Sequence, residues 1–246
     1  MKIAVVSDIH GNLPALEAVV SHFNRIGIDK VINLGDSLSG PLLPLETAHF
    51  LMAQNWIQLA GNHDHQILAH GTDQCSVVDE LAYSQLSAKE LDWLKSLPNT
   101  LYLSQDILLC HGTPESSNSY LLETVVPSGA RLATANEIKE RLGKDRKEKL
   151  ILCGHTHQPR SVKILGELLI VNPGSVGLPA YSDEIPFLHT IETGTPDAHY
   201  ALLERVGNQW ISSLISVPYD YQAMVKLAES RHFMDWACAL RTGFMN

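Results

Sequence analysis

The chain is short of positive charge, of cysteine and of long apolar runs, and each shortage removes a class of protein. Lysine and arginine number 18 against 27 aspartates and glutamates, a formal charge of −9 over 246 residues. The longest basic stretch is residues 141–149. A general electrostatic grip on nucleic acid is therefore not expected, and an anionic partner must be held by local positive charge. The four cysteines, Cys75, Cys110, Cys153 and Cys238, lie too far apart for a CxxC redox pair or a zinc ribbon. They read as reduced thiols of a cytoplasmic protein. The apolar start over residues 3–6 is broken at once by Ser7, Asp8 and His10, too early for a signal-peptide core. No run approaches the length of a membrane-spanning helix, so no membrane partner is expected.

What is present suffices for a large core, with 45% of residues hydrophobic. Residues 3–6 read as a buried strand, 13–26 as an amphipathic helix and 31–34 as the next strand, which makes a βαβ unit. Asn12 is the expected N-cap of that helix, Pro14 sits in its first turn, and Leu16, Val19, Val20 and Phe23 form one apolar face. A second crossover, through a helix over 45–53, leads to a strand over 56–60. The middle reads as helical over 67–97 and 121–141, with Ser87/Glu90 and Thr134/Glu137 as capping boxes. Short strands are expected at 100–103, 107–110, 150–153, 162–165, 168–171, 187–191, 200–203 and 210–215. Two helices close the chain from about residue 219, spaced by Met224, Leu227 and Ala228, then Phe233, Trp236, Ala237 and Leu240. The pattern predicts one α/β domain over 1–246, with two packed mixed β-sheets flanked by helices.

Metal-capable residues stand in five blocks where strands are expected to end: Asp8-Ile9-His10, Gly35-Asp36, Gly61-Asn62-His63-Asp64, His111-Gly112 and Gly154-His155-Thr156-His157. Strand interiors favour Val, Ile and Leu, so polar residues there are local conflicts of the kind that function explains. In open α/β sheets the crevice beyond the strand carboxyl ends is where ligands bind. Asp8 and His10 are two apart, as are His155 and His157, so in extended backbone each pair shares one side and can pinch one ion. The donors are carboxylate, imidazole and amide, with no thiolate, a set suited to Mn²⁺, Fe, Co²⁺, Ni²⁺ or catalytic Zn²⁺. Taken singly, each block also reads as ordinary structure: Asp8 and Asp36 as helix caps, 61–64 as a turn, His111 as a hydrogen-bonded histidine. His22, His49, His70, His189, His199 and His232 belong to no block and read as surface or satisfied core groups; His65 reads as a helix-start residue. Cys110 and Cys153 read as packing beneath the site.

In this order the blocks resemble the calcineurin-like metallophosphoesterases, with their D-x-H, G-D, G-N-H-D/E, H and G-H-x-H pattern. The match runs from residue 8 to residue 157, and Asn172-Pro173-Gly174-Ser175-Val176-Gly177 is similar to the small bacterial phosphodiesterase branch. The resemblance implies a four-layer sandwich holding two divalent ions, manganese first, with Fe, Ni, Co or Zn as alternatives. One ion would be held by Asp8, His10 and His157, the other by Asn62, His111 and His155, with Asp36 as bridge. His63 would stand beside the substrate, oriented by Asp64. Two such ions carry four positive charges against two carboxylates, leaving about two inside an acidic protein, a trap for phosphate. An Asp in place of Asn62 would halve that excess.

The implied chemistry is hydrolysis of a small phosphate ester, a diester before a monoester, by a metal-bridging hydroxide with His63 as proton donor. A protein Ser/Thr phosphatase, a dinucleoside polyphosphate hydrolase and a non-catalytic protein-binding scaffold are the alternatives on the same fold. The intact His63 and the seven intact candidate ligands favour turnover; a homo-oligomer is left open. One position departs from the branch, where relatives often carry Arg after Gly-x-Pro: here Gly177-Leu178-Pro179 leads to Ala180, and Arg160 is the substitute candidate for holding phosphate.

Overall fold

The computed structural model describes residues 1–144, 146–164 and 166–245. The chain runs β1 (Lys2–Val6), α1 (Leu13–Asn24), β2 (Lys30–Asn33), α2 (Pro44–Met52), β3 (Ile57–Gln58), α3 (Asn62–Leu68), α4 (Val77–Gln85) and α5 (Ala88–Ser96). There follow β4 (Thr100–Ser104), β5 (Ile107–Cys110), β6 (Glu123–Val126), β7 (Gly129–Leu132), α6 (Ala135–Leu142), β8 (Leu150–Leu152), β9 (Arg160–Ile164) and β10 (Leu168–Asn172). The last elements are β11 (Ala180–Asp183), β12 (His189–Glu192), β13 (Ala198–Val206), β14 (Gln209–Val217), α7 (Gln222–Ser230) and α8 (Met234–Thr242).

Two five-stranded mixed sheets form, in the orders β14-β13-β1-β2-β3 and β4-β5-β8-β10-β9. In the first, β1, β2 and β3 are parallel and β13 and β14 add an antiparallel edge. In the second, β5, β8 and β10 are parallel between antiparallel β4 and β9. Alternation of side chains explains the layering. Ile3, Val5, Ile32 and Leu34 meet Leu109, Leu150, Leu152 and Val171 between the sheets, while Ala4 and Val6 point outward onto Leu16, Val19 and Phe23 of α1. On the opposite outer face Leu108, Cys110, Ile151 and Cys153 pack on Ile138 and Leu142 of α6. Cys110 and Cys153 are thus buried packing groups.

Asn12 caps α1 through its side-chain oxygen, which accepts from the Ala15 amide at 3.3 Å. Its amide nitrogen donates to Gly177 O and the Tyr219 hydroxyl, so it has no donor left for a substrate. Both expected capping boxes form, at Ser87/Glu90 and Thr134/Glu137.

Two expectations are corrected. The strand expected over 56–60 shrinks to Ile57–Gln58, because the Ala60 amide turns away to Pro98 O. Residues 121–132 are not helical: β6 and β7 form a hairpin around Pro127-Ser128, and the helix of this segment begins only after the Thr134 cap. A second hairpin, β11 with β12, was not resolved as a separate sheet in the sequence pattern. Leu165, the end of the strand expected over 162–165, lies outside the described residues. Among the described residues no helix is long and apolar enough to cross a membrane.

Candidate metal centre

The five polar blocks follow β1, β2, β3, β5 and β8, all members of the parallel parts of the two sheets, so their carboxyl ends converge on one edge. Main-chain bonds lash these ends together. The Asp8 amide donates to Gly35 O at 2.9 Å, the His10 amide to Asp36 O at 3.0 Å and the Gly154 amide to His111 O at 2.6 Å. The 172–177 turn acts as a brace: the Ser175 hydroxyl donates to Asp8 O at 2.7 Å and Asn172 donates to Gly154 O at 2.7 Å. Gly154 sits so close to β1 that a Cβ there would lie 2.0 Å from Ser7 Oγ.

All seven candidate ligands meet in this crevice. The atoms of Asp8, His10 and His157 lie within 4.8 Å of one another, and so do those of Asp36, His111 and His155. The groups touch: His111 Nε2 is 3.1 Å from Asp36 Oδ2 and 3.8 Å from Asp8 Oδ1, and Asn62 Oδ1 is 3.1 Å from His111 Nε2. Six of the seven are buried, with His155 half-buried.

Backbone strain is concentrated on the same residues. Asp8, His10, Asp36, His155 and His157 have φ between 51° and 68°, and His232 is the one other described non-glycine residue with positive φ. Each such residue costs about 1–3 kcal/mol, which persists only where the surroundings enforce it. The two-residue spacing does put Asp8 with His10, but the expected pairing of His155 with His157 is corrected: through left-handed turns after β8, His157 joins Asp8 and His10 while His155 joins Asp36 and His111.

Histidine tautomers follow from the hydrogen bonds. Nδ1 of His10, His111 and His157 faces the carbonyl oxygens of Ser39, Leu34 and Leu178 at 2.9, 2.9 and 2.8 Å. A carbonyl accepts only, so Nδ1 carries the proton and Nε2 presents its lone pair to the centre when the ring is neutral. His10 and His157 bring their Nε2 atoms within 3.1 Å of each other. Burial, with the neighbouring His157, pushes His10 down to about 3, and burial, with His111, pushes His155 down to about 4, so both are uncharged donors. Burial alone would lower His111, but the Asp36 charge raises it to about 9. That pair requires one positive charge between its members, from a proton or a cation. Asp8 Oδ1 is fully buried without a hydrogen-bond partner, an arrangement that suits a cation ligand. Donor chemistry, lone-pair direction and this orphaned oxygen all fit divalent ions.

His63 lines the same cleft, whose volume is about 920 Å³. The expected orienting contact from Asp64 is not made. Asp64 instead accepts from the amides of Asp36, Ser37 and Gly61 at 2.8, 3.1 and 2.9 Å, tying β2's end to α3's start. The His63 ring meets Asp79 on α4, Nδ1 to Oδ1 3.0 Å, with Ser39 Oγ at 3.4 Å. Burial opposes the charged ring, yet the Asp36 charge and the Asp79 hydrogen bond raise His63 to about 9. Its Nε2 is the nitrogen left for the cleft.

Sequence reasoning also missed two tyrosines. Tyr120 stands edge-on to His155 at 5.0 Å and Tyr181 edge-on to His157 at 4.7 Å. Since His189 Nδ1 donates to Phe187 O, its Nε2 accepts from the Tyr120 hydroxyl at 3.0 Å, and Tyr181 in turn donates to Tyr120 at 2.6 Å. Ala180 is buried at the cleft wall. Arg160 is paired with Glu123 at 2.5 Å and is not among the lining residues, whereas Arg141 is, held by Leu121 O, Glu123 O and Thr124 Oγ1.

The sequence model of the calcineurin-like phosphoesterase superfamily domain matches residues 1–194. The chain belongs to that superfamily, and is a metal-dependent hydrolase of phosphoric esters. Among curated relatives, Phosphodiesterase YfcE of Escherichia coli is 29% identical over 183 residues, covering 73% of this chain and 81% of its own. Phosphodiesterase MJ0936 of Methanocaldococcus jannaschii is 24% identical, over 83% of this chain and all of its own. A metallophosphoesterase from Sphaerobacter thermophilus has the same fold, with a TM-score of 0.74 at 23% identity and 99% of each chain covered.

Proposed function

We propose that this chain is a two-metal phosphodiesterase that hydrolyses a small phosphate ester by direct attack of water, with His63 giving the proton to the departing alcohol. The observation that carries the reading is the convergence of Asp8, His10 and His157 with Asp36, His111 and His155 at one cleft edge, beside His63. Asp8, His10 and His157 would hold one ion, Asn62, His111 and His155 the other, and Asp36 would reach both. Two divalent ions supply an activated water and polarise phosphoryl oxygens.

The chain's own residues account for the rest. His10 and His155 remain uncharged, and the backbone carbonyls of Ser39, Leu34 and Leu178 aim the rings of His10, His111 and His157 inward. Asp79 holds His63 protonated at Nδ1, so Nε2 carries a transferable proton into the cleft. Arg141 is the one lysine or arginine among the described cleft-lining residues and attracts the anionic ester. Asp64 fixes the backbone of Asp36 rather than the His63 ring.

The diester preference is drawn from the names of the two relatives. Manganese is the ion placed first, from the imidazole-rich oxygen and nitrogen donor set, and the cytoplasm is the compartment that the reduced cysteines suit. Elemental analysis of the purified protein, with a panel of mono- and diesters in Mn²⁺, Mg²⁺, Ni²⁺ and Zn²⁺, tests the reading. Two ions per chain and faster diester turnover are expected. Absence of activity on both ester classes after reconstitution would return the chain to the scaffold alternative.

A further inference from the structure

A second group of metal-capable side chains lies away from the main cleft, two in the connection between α3 and α4 and one on the first turn of α4. His70, Cys75 and Glu80 each offer one ligand atom, and the three atoms lie within 4.8 Å of one another. His70 Nδ1 is 2.5 Å from Glu80 Oε2, and the His70 ring is stacked on Tyr83 at 3.8 Å and 11°, which fixes the plane in which Nδ1 points. Glu80 is anchored from its other oxygen by the Gly71 amide at 3.2 Å. Imidazole and thiol on a solvent-reachable loop, with a carboxylate from the start of α4, form the donor set of a tetrahedral zinc site with one position left for water.

We propose that His70, Cys75 and Glu80 bind a third divalent cation, Zn²⁺ by preference, which clamps the loop between α3 and α4. The thiolate makes the choice of ion. The main centre offers only nitrogen and oxygen donors, while this loop adds sulfur, and soft donors select zinc over manganese or magnesium. Ligand atoms at zinc bond lengths stand roughly 3.3–3.8 Å apart. The His70–Glu80 contact therefore opens by about an ångström as the ion enters, and Cys75 swings in. A cation is also what the thiol needs in order to ionise there, because burial and the adjacent Glu80 otherwise raise it to about 11.

The clamp has a consequence for the main cleft. Ser76, next to Cys75, caps α4, and Asp79, next to Glu80, accepts from Ser76 while its other oxygen meets His63. An ion joining Cys75 to Glu80 spans the two residues that bracket this cap and holds Asp79 in place. His70, Cys75 and Glu80 act here as positioning residues only.

The test is Co²⁺ titration of the full chain under a non-thiol reductant, followed by absorption. Cobalt bound through sulfur gives a near-ultraviolet charge-transfer band that nitrogen and oxygen ligation does not. A band whose final intensity corresponds to one sulfur-bound cobalt per chain, in addition to the ions taken up by the main centre, displaced by Zn²⁺ and lost in Cys75→Ser, is the expected result, with His70→Ala weakening binding about tenfold or more. Far-ultraviolet circular dichroism of the variants reports whether they fold. No such band in the wild type, or a band that survives Cys75→Ser, overturns the proposal. Neither readout depends on turnover, so failure here leaves the phosphodiesterase reading intact.

Discussion

His63 Nδ1 lies 3.0 Å from Asp79 Oδ1, although the two residues stand on different helices with a loop between them. The carboxylate is buried and its second oxygen is tied to Ser76, so its charge is directed at the ring. Removing that charge in Asp79→Asn lowers the affinity of His63 for its proton. The protonated fraction then falls at a lower pH, and the basic limb of the kcat profile moves to lower pH. A loss of about tenfold to a hundredfold in kcat is expected with bound metal unchanged. A pH–rate profile superimposable on that of the wild type would remove Asp79 from the machinery.

Proton donation matters in proportion to how badly the leaving group needs a proton. His63→Ala should therefore slow alkyl diesters by about 10²–10⁴, while bis-p-nitrophenyl phosphate, whose nitrophenolate departs unprotonated, suffers much less. Steady-state rates on the two ester types with metal content held constant measure the contrast. Equal losses on both would make His63 a binding group instead.

The parallel strands and the seven clustered polar residues were legible in the sequence for a shared physical reason: an Asp or His directly after a Val/Ile/Leu run contradicts the strand, and such contradictions mark where the sheet edge works. Asp79 carried no such signal. Ser76-x-x-Asp79 reads as a helix cap and does cap α4, and nothing local says that its spare oxygen faces a histidine from another helix. The β6–β7 hairpin was read as helix because its strands are only partly buried, so the two-residue alternation that marks a strand is weak there. Tyr120, Tyr181 and His189 meet only through tertiary structure, and no spacing announces them.

Asp64 is expected to govern stability more than chemistry. Asp64→Ala leaves the buried amides of Asp36, Ser37 and Gly61 without their acceptor, at about 1–3 kcal/mol each before relaxation. The urea midpoint should fall by an amount equivalent to about 3 kcal/mol or more, and metal stoichiometry with it, because Asp36 and Asn62 hang on those amides. Asp64→Asn keeps one acceptor oxygen and should lose less. Unchanged unfolding of the alanine variant would contradict the bracing role.

Arg141 and Arg160 separate two accounts of how the ester's charge is held where Ala180 replaces an arginine. Arg141 lines the cleft and Arg160 does not. Arg141→Lys, which keeps a charge but loses the forked contacts to Leu121, Glu123 and Thr124, should raise KM several-fold with little change in kcat. Arg160→Ala should leave KM unmoved. The reverse outcome would assign the phosphate to Arg160.

The two sheets meet at their carboxyl ends over a single missing methyl group. A Cβ on Gly154 would stand 2.0 Å from Ser7 Oγ, 3.0 Å from Ser7 Cβ and 3.0 Å from Asp8 Oδ2. Gly154→Ala must therefore push β8's end away from β1's, separating His155 and His157 from Asp8. Overpacking of this kind costs about 1–3 kcal/mol, and the expected variant melts several degrees lower and retains fewer ions per chain. Ser7 Oγ is buried with no hydrogen-bond partner among the described residues, so Ser7→Ala alone should be nearly silent. Combined with Gly154→Ala it takes away the closest obstacle, and part of the lost stability and metal binding should return. Strict additivity of the two changes, measured by thermal unfolding and metal content, would mean that the sheets are not in contact there.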